Sequence, residues 1–476
     1  MLTSSQFCSF LVSPPKRILF VALIVFLSLV YPGCRNKLIE PPASWRYSWQ
    51  ASIRGTTLTV PNSMGIASDS QGNIYVAGKY ESSLRFPSSS NGDDLVDIVE
   101  NDRRDHCYLA MFRAGRDIEW VCTWGGPEGS ADVRSLCVDE AGRILVAGSF
   151  VGTVDFDPDS GWLEHSPRHE RIGYIAEFDQ EGAILQVRVL EIDDPIIAIG
   201  RYGTWFVAAS FSGERSFQPE FGNEIHGSAD TTSTCLLGFN SAGQVSFAAS
   251  WNATQPVFLD VDSEGCPIVC GSFEGQVDFS GSKEGDRHFT SDREDIYLAR
   301  FHESGELDWA NTWGEVQNYR CSAIAVDREG PIYISGSRLD ILEYEATHHI
   351  NLGDFLVKFD DHGHHVWSRF WEGGGRNASI TVNESEKIFI TGGFDGTVDF
   401  DPDVGIEERT SAYGQWDVDA YLCKYSSDGA LLDVCTWGSN SRDKGYDLVV
   451  VSGDIYVVSY WNSECYILRF GSGDEW

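Results

Sequence analysis

Ile66-Ala-Ser-Asp-Ser-Gln-Gly-Asn-Ile-Tyr-Val-Ala-Gly78 returns 70 residues later as Leu136-Cys-Val-Asp-Glu-Ala-Gly-Arg-Ile-Leu-Val-Ala-Gly148. The same phrase recurs at Leu259–Gly271 and Ile324–Gly336, with looser copies at Ile197–Ala209, Ile380–Gly392 and Leu448–Ser459. Each copy reads as a short strand, a tight turn carrying Asp and usually Gly, and a second strand rich in β-branched and aromatic residues. After a variable loop comes another hairpin, as in Tyr108-Leu-Ala-Met-Phe-Arg-Ala-Gly-Arg-Asp-Ile-Glu-Trp120 and Tyr297-Leu-Ala-Arg-Phe-His-Glu-Ser-Gly-Glu-Leu-Asp-Trp309. Each unit therefore holds four antiparallel strands, here called a, b, c and d.

The b strands end at Gly78, Gly148, Ala209, Gly271, Gly336, Gly392 and Ser459, at spacings of 70, 61, 62, 65, 56 and 67 residues. A four-stranded sheet repeated radially is a β-propeller, in which each blade buries both faces against its neighbours. No stretch shows sustained helical periodicity. The last unit supplies strands a to c, Leu448 to Phe470, and no d strand. Near the other end, Trp45-Arg-Tyr-Ser-Trp49 matches the d pattern of Trp120–Trp124, Trp309–Trp313 and Trp367–Trp371. A spacing of four puts both indoles on one face of a strand. The pattern predicts an all-β, seven-bladed propeller over residues 45–471, closed by the N-terminal strand and followed by a tail at 472–476. Such closure leaves no exposed sheet edge.

Residues 1–33 read as a separate segment. Lys16 and Arg17 precede a 14-residue apolar run, Ile18 to Tyr31, and then Pro32-Gly33-Cys34. Spanning a bilayer takes about 20 apolar residues, so the run suits a signal peptide. Gly33-Cys34 resembles a bacterial lipoprotein cleavage site, which implies lipidation of Cys34 and a linker over 34–44. Cleavage without a lipid and an uncleaved anchor remain open, and membrane contact is expected only through this N-terminal lipid or anchor. Arg35 follows the cysteine, where an Asp would signal inner-membrane retention. The expected location is the cell envelope, as an outer-membrane lipoprotein, or the medium. With 71 Asp+Glu against 35 Lys+Arg the net charge is −36, and loss of Lys16 and Arg17 takes it to −38. A polyanion repels phosphate backbones, which excludes nucleic acid as a partner class.

Gly148-Ser-Phe-Val-Gly-Thr-Val-Asp-Phe-Asp-Pro158, its near copy Gly393–Pro402, and the Phe-x-x-x-Gly-x-x-x-Trp turns resemble the bacterial SBBP β-propeller repeats. The resemblance covers roughly residues 45–470. It implies an exported propeller and carries over no catalytic residue.

Long b–c loops such as Glu81–Asp105 and Phe156–Ile172 share one face of the disc with the d–a loops. Function on a rigid scaffold concentrates on such loops, so a binding surface is expected there or at the channel mouth. Two of them open with alternate carboxylates: Asp155, Asp157 and Asp159, and Asp399, Asp401 and Asp403. A D-x-D-x-D-x-G run can wrap Ca²⁺ in carboxylate oxygens. The competing reading is a strand with Val and Phe facing the core and Asp facing water, capped by an Asp-Pro turn. Pro158 and Pro402 interrupt the ligand loop, and no Glu stands at the closing position, where the residues are Ser166 and Thr410.

Ten cysteines lie beyond Cys34, and disulfides are permitted in an exported protein. With the c–d turn centred between Ala114 and Gly115, Cys107 and Cys122 fall opposite each other, a disulfide expectation. Cys137, Cys270, Cys423 and Cys435 read as small core residues. His348-His349 and His362-Gly-His364-His365 flank strand c of the fifth blade, too far apart in extended chain to share one ion. No nucleophile elbow, HExxH, phosphate loop or GxGxxG occurs, so no catalytic and no cofactor-binding residue is assigned.

The expected function is an exported, surface-associated binding or structural scaffold for a protein or glycan. The alternatives are a hydrolase or lyase acting on an extracellular polymer through acidic residues at the channel mouth, and a quinone-cofactor oxidoreductase. Gly-Glu-Leu-Asp-Trp309 also resembles the tryptophan-docking repeats of quinoprotein dehydrogenases, but those usually form eight blades and this chain counts seven.

Overall fold

The computed structural model describes residues 47–471 apart from the loop residues 56–63, 82, 88–93, 100–104, 114–116, 158–162, 167–170, 218–225, 228–231, 254–256, 280–286, 290–293, 315–317, 342–349, 373–375, 404, 413, 415–416, 441 and 462–463. The leader, Cys34, the linker, Trp45 and the tail lie outside the described residues.

Seven antiparallel blades follow in chain order, each built a-b-c-d. The first comprises Met64–Ser68, Ile74–Glu81, Asp105–Arg113 and Asp117–Trp124. In the second, strand a is split into Gly129–Ala131 and Ser135–Val138, followed by Ile144–Gly152, Ile172–Phe178 and Ile184–Leu190. The third is Asp193–Ile199, Trp205–Ser212, Thr232–Phe239 and Val245–Trp251, and the fourth Val257–Val261, Pro267–Phe273, Asp295–Phe301 and Leu307–Trp313. The fifth is Asn318–Val326, Ile332–Ile341, Ile350–Phe359 and His365–Glu372, and the sixth Arg376–Val382, Ile388–Asp395, Val418–Tyr425 and Leu431–Trp437. Lys444–Val451, Asp454–Trp461 and Glu464–Phe470 make three strands of the seventh, and Tyr47–Gly55 is the fourth.

The repeat markers read from sequence occupy one equivalent ladder position. Gly78, Gly148, Ala209, Gly271, Gly336, Gly392 and Ser459 each pair with strand c, opposite Tyr108, Tyr174, Cys235, Tyr297, Phe355, Tyr421 and Tyr466. Each innermost strand touches those of both neighbouring blades, the seventh touching the first, so the ring is closed.

Closure by the N-terminal strand holds, but its register differs from the expectation. Trp49 pairs with Arg469 and Ile53 with Cys465, whereas in the first blade Trp120 pairs with Met111 and Trp124 with Cys107. Trp49 therefore occupies the first tryptophan position and the buried Ile53 the second. A four-residue repeat of indoles cannot fix a register against a strand that has aliphatic residues where the others have Trp.

The core is divided among the blade interfaces. Seven apolar clusters, one between each neighbouring pair, bury the β-branched and aromatic faces of strands b and c. Two devices recur. The Trp near the end of a d strand packs on the aromatic ending the next blade's strand c: Trp124 on Phe178, Trp251 on Phe301, Trp371 on Tyr425 and Trp437 on Phe470, all at 5.5–5.8 Å. The first Trp receives the next blade's c–d turn. Trp120 Nε1 donates to the Gln180 carbonyl at 3.0 Å and Trp367 Nε1 to that of Ser427 at 3.3 Å. A glycine seats each turn, since a Cβ on Gly182, Gly363 or Gly429 would stand 2.4–3.0 Å from the indole. Three indoles, Trp120, Trp309 and Trp367, dock the next blade's turn in this way, and Phe247 takes the same place against Gly305.

Candidate functional site

The long b–c loops hold latches. Among the described residues, small hairpins, Ser83–Pro87 with Asp94–Val99, Val154–Asp155 with Glu164–His165, Gln276–Asp278 with Arg287–Phe289, and Thr397–Asp399 with Glu408–Thr410, follow strand b in four blades. Three of them visibly grip the preceding blade. Gly125 and Asp155 exchange backbone hydrogen bonds, Asn252 bonds the backbone of Gln276 and Asp278, and Arg54 pairs with Arg85. Val154, Phe156, Val398 and Phe400, in or just after these hairpins, are buried.

The acidic triplets belong to these hairpins. Asp155 Oδ1 accepts the amides of Asp157 (3.1 Å) and Leu163 (2.9 Å), and Asp399 Oδ1 those of Asp401 (3.1 Å) and Glu407 (2.8 Å). Asp401 Oδ1 accepts the Asp403 amide, and Asp403 leans toward Arg369, 3.7 Å away. Asp159 lies outside the described residues. The leading carboxylate of each triplet thus caps its own loop.

Among the described residues, two other clusters place three ligand-type side chains within reach of one another: Asp262 with Glu264 and Cys266, and Asp360 with Asp361 and His362. Arg300 fills the first, with its guanidinium 2.5–2.7 Å from Asp262, Glu264 and Asp308. The second is an exposed turn whose Asp360 Oδ1 caps the His362 and His364 amides. His348 and His349 lie outside the described residues.

The Cys107–Cys122 disulfide is corrected. Cys107 stands opposite Trp124 and Cys122 opposite Leu109, so the two do not face each other across the ladder. The hairpin closes with Arg113 opposite Asp117, one residue beyond the symmetric turn that the sequence suggested, and a bulge between Met111 and Phe112 shifts the ladder by one more.

One blade interface departs from the others. Between the fourth and fifth blades Trp313 is only partly buried. It stacks on His365 (6.4 Å, 8°) and Phe370 (6.4 Å, 14°) and tilts against Tyr319 at 4.7 Å. A cleft of about 200 Å³ opens between Trp313 and Phe359. Ile296 and Leu298 form its apolar floor, and Asn311, Thr312, His364 and His365 its polar rim. Its volume is below the ~300–1,000 Å³ that holds a drug-sized ligand, so it suits a single ring. It runs along the outer wall of strand d from the c–d turn of the fifth blade, a different place from the b–c face expected from loop length. The sequence marks its histidines but gives no sign that Trp313 and Phe359 part.

At the inner ring, carboxylates stitch strands together. Asp447 Oδ1 accepts from Ser379 Oγ at 2.7 Å and its Oδ2 from the Ile66 amide at 3.0 Å, joining three blades. Asp260 Oδ2 accepts the Val326 amide at 2.8 Å. Burial raises both acids, Asp260 to about 6. Asp417, Asp419 and Asp443 gather in the sixth blade and its d–a loop. Burial and mutual repulsion raise Asp417 to about 6 and Asp419 to about 7. At 6%, 0% and 0% exposure, these three are closed to a polymer substrate.

No family model and no curated protein matches this chain. Among solved structures it is similar to a protein of unknown function from Dyadobacter fermentans (11% identity, TM-score 0.40, covering 83% of this chain and 99% of that one). It is also similar to a chain of the mitotic checkpoint complex (10%, 0.45, 92% and 97%). A third is a Myceliophteria thermophila Cps50 (Swd1) β-propeller domain (7%, 0.37, 87% and 99%).

Proposed function

We propose that this chain is an exported, non-enzymatic binding propeller, an SBBP-like repeat protein held at the cell envelope through Cys34, and that its ligand is a glycan. The observation that carries the reading is the cleft at Trp313. The half-buried indole and the apolar floor together offer a hydrophobic wall to the C–H side of a sugar ring, while Asn311, Thr312 and the two imidazoles supply hydrogen bonds at the rim. The propeller fold is consistent with a binding or scaffold role. The inner-ring and sixth-blade acids have structural partners or are buried, which favours binding over hydrolysis.

A glycan array probed with the full chain, run beside a hydrolysis screen on the same polysaccharides, tests the proposal. Retention of a glycan without cleavage, lost in His365→Ala at an unchanged melting temperature, supports it. Cleavage products, or binding indifferent to both His365→Ala and Trp313→Ala, overturn it.

A further inference from the structure

Cys270 and Cys321 are separated by 51 residues and belong to different blades, strand b of the fourth and strand a of the fifth. Their Sγ atoms lie 2.8 Å apart. Non-bonded heavy atoms settle at about 3.5–4.0 Å, and a disulfide bond measures about 2.05 Å. The two sulfurs are thus inside contact distance, with a short approach left to a bond. Both thiols are buried, at 0% and 2% exposure. Ile268, Leu298, Ile334 and Phe355 share their apolar cluster. The strands are also tied nearby by Ser272 Oγ, which donates to the Tyr319 carbonyl at 3.4 Å.

We infer that Cys270 and Cys321 form a disulfide that staples the fourth blade to the fifth. This goes beyond the binding role and does not depend on it. The oxidant is a disulfide, carried by a small molecule or by a dithiol oxidoreductase. One cysteine thiolate attacks the oxidant's sulfur, giving a mixed disulfide and releasing one thiol. The second thiolate then displaces the other thiol, so two cysteine thiols lose two electrons and two protons and the oxidant's disulfide becomes two thiols. Burial raises the Cys270 thiol well above its ordinary range and shields both sulfurs, so exchange belongs to the stage before these blades close. Joining residues so distant in sequence restricts the unfolded chain, and the staple lies in the same apolar cluster as Ile296, Leu298, Trp313 and Phe359 of the cleft.

The test takes the full chain unfolded with reductant and refolded in oxidised and reduced glutathione. The folded fraction is then unfolded without reductant, alkylated, digested and read by mass spectrometry. A parallel sample refolded in excess reductant identifies the two alkylated peptides. The expected result is one cross-linked species joining the Cys270 and Cys321 peptides, lighter by two hydrogens than the pair of free peptides. Alkylation of both cysteines in the glutathione sample, or linkage of either to another cysteine, overturns the inference.

Discussion

Asp139 shows how much a single side chain does in this fold. Its Oδ1 accepts the Ala141 and Arg143 amides at 2.9 and 2.8 Å, and its Oδ2 the Arg143 Nε at 3.0 Å. Asp69, Asp179, Asn240, Asp262, Asp360 and Asn383 cap hairpin turns through the same pair of amides. Asp139→Ala strands those donors and should lower unfolding stability by about 2 kcal/mol in urea titrations, with Asp139→Asn retaining part of it. Asp419 gives a pH dependence. Its carboxyl rises from 3.8 to about 7 in the folded protein, because burial and the nearby Asp417 and Asp443 disfavour the anion. Between those values the native state holds a proton that the unfolded state has lost. This contribution is fully present below about pH 4 and is lost as pH rises through 7. Melting curves across that window should show Asp419→Asn falling less steeply with pH than the parent; an identical slope contradicts the assignment. Such turns were legible because an Asp, a Gly and two strands are all local. The Cys270–Cys321 contact was not, since it joins different blades and no periodicity carries that information.

At the scale of elements, the docking of a c–d turn on the preceding indole is the joint that repeats. A Cβ at Gly182 would lie 2.7 Å from the Trp120 ring, and the residue's φ of +83° is itself unfavourable for alanine. Gly182→Ala should cost about 2 kcal/mol, more than Gly275→Ala, which meets no neighbouring atom. Equal losses at the two sites would remove docking as the cause. The latch hairpins carry a second expectation. Since Asp155 and Asp399 spend an oxygen on their own loop amides, Ca²⁺ and Mg²⁺ at matched ionic strength should raise the melting temperature equally, as screening of an anionic surface. A larger rise with Ca²⁺, abolished by Asp157→Asn plus Asp401→Asn, would instead establish the calcium site. Strand content and blade count were readable from alternation and repeat length. Registers were not, because bulges such as those at Met111 and between Tyr47 and Trp49 shift a ladder without altering the pattern of residue types.

For the whole molecule, the account rests on a ring whose last sheet is completed from the far end of the chain. Tyr47–Gly55 pairs along Glu464–Phe470 through Ile53 opposite Cys465, then passes to Leu84 and Arg85 of the first blade's latch. One strand therefore holds two blades. Export is tested separately: in a bacterium with two membranes, Cys34→Ser should release the protein from the detergent phase or block its processing, whereas unchanged retention would indicate an uncleaved anchor. Closure is tested most directly by comparing thermal unfolding of the chain beginning at Tyr47 with that of the chain beginning at Thr56. The first should melt in one cooperative transition. The second, having lost Ile53 from its core and exposed Glu464–Phe470 as an edge, should melt at a clearly lower temperature or without cooperativity. The same midpoint and the same cooperativity in both chains would contradict closure by the N-terminal strand.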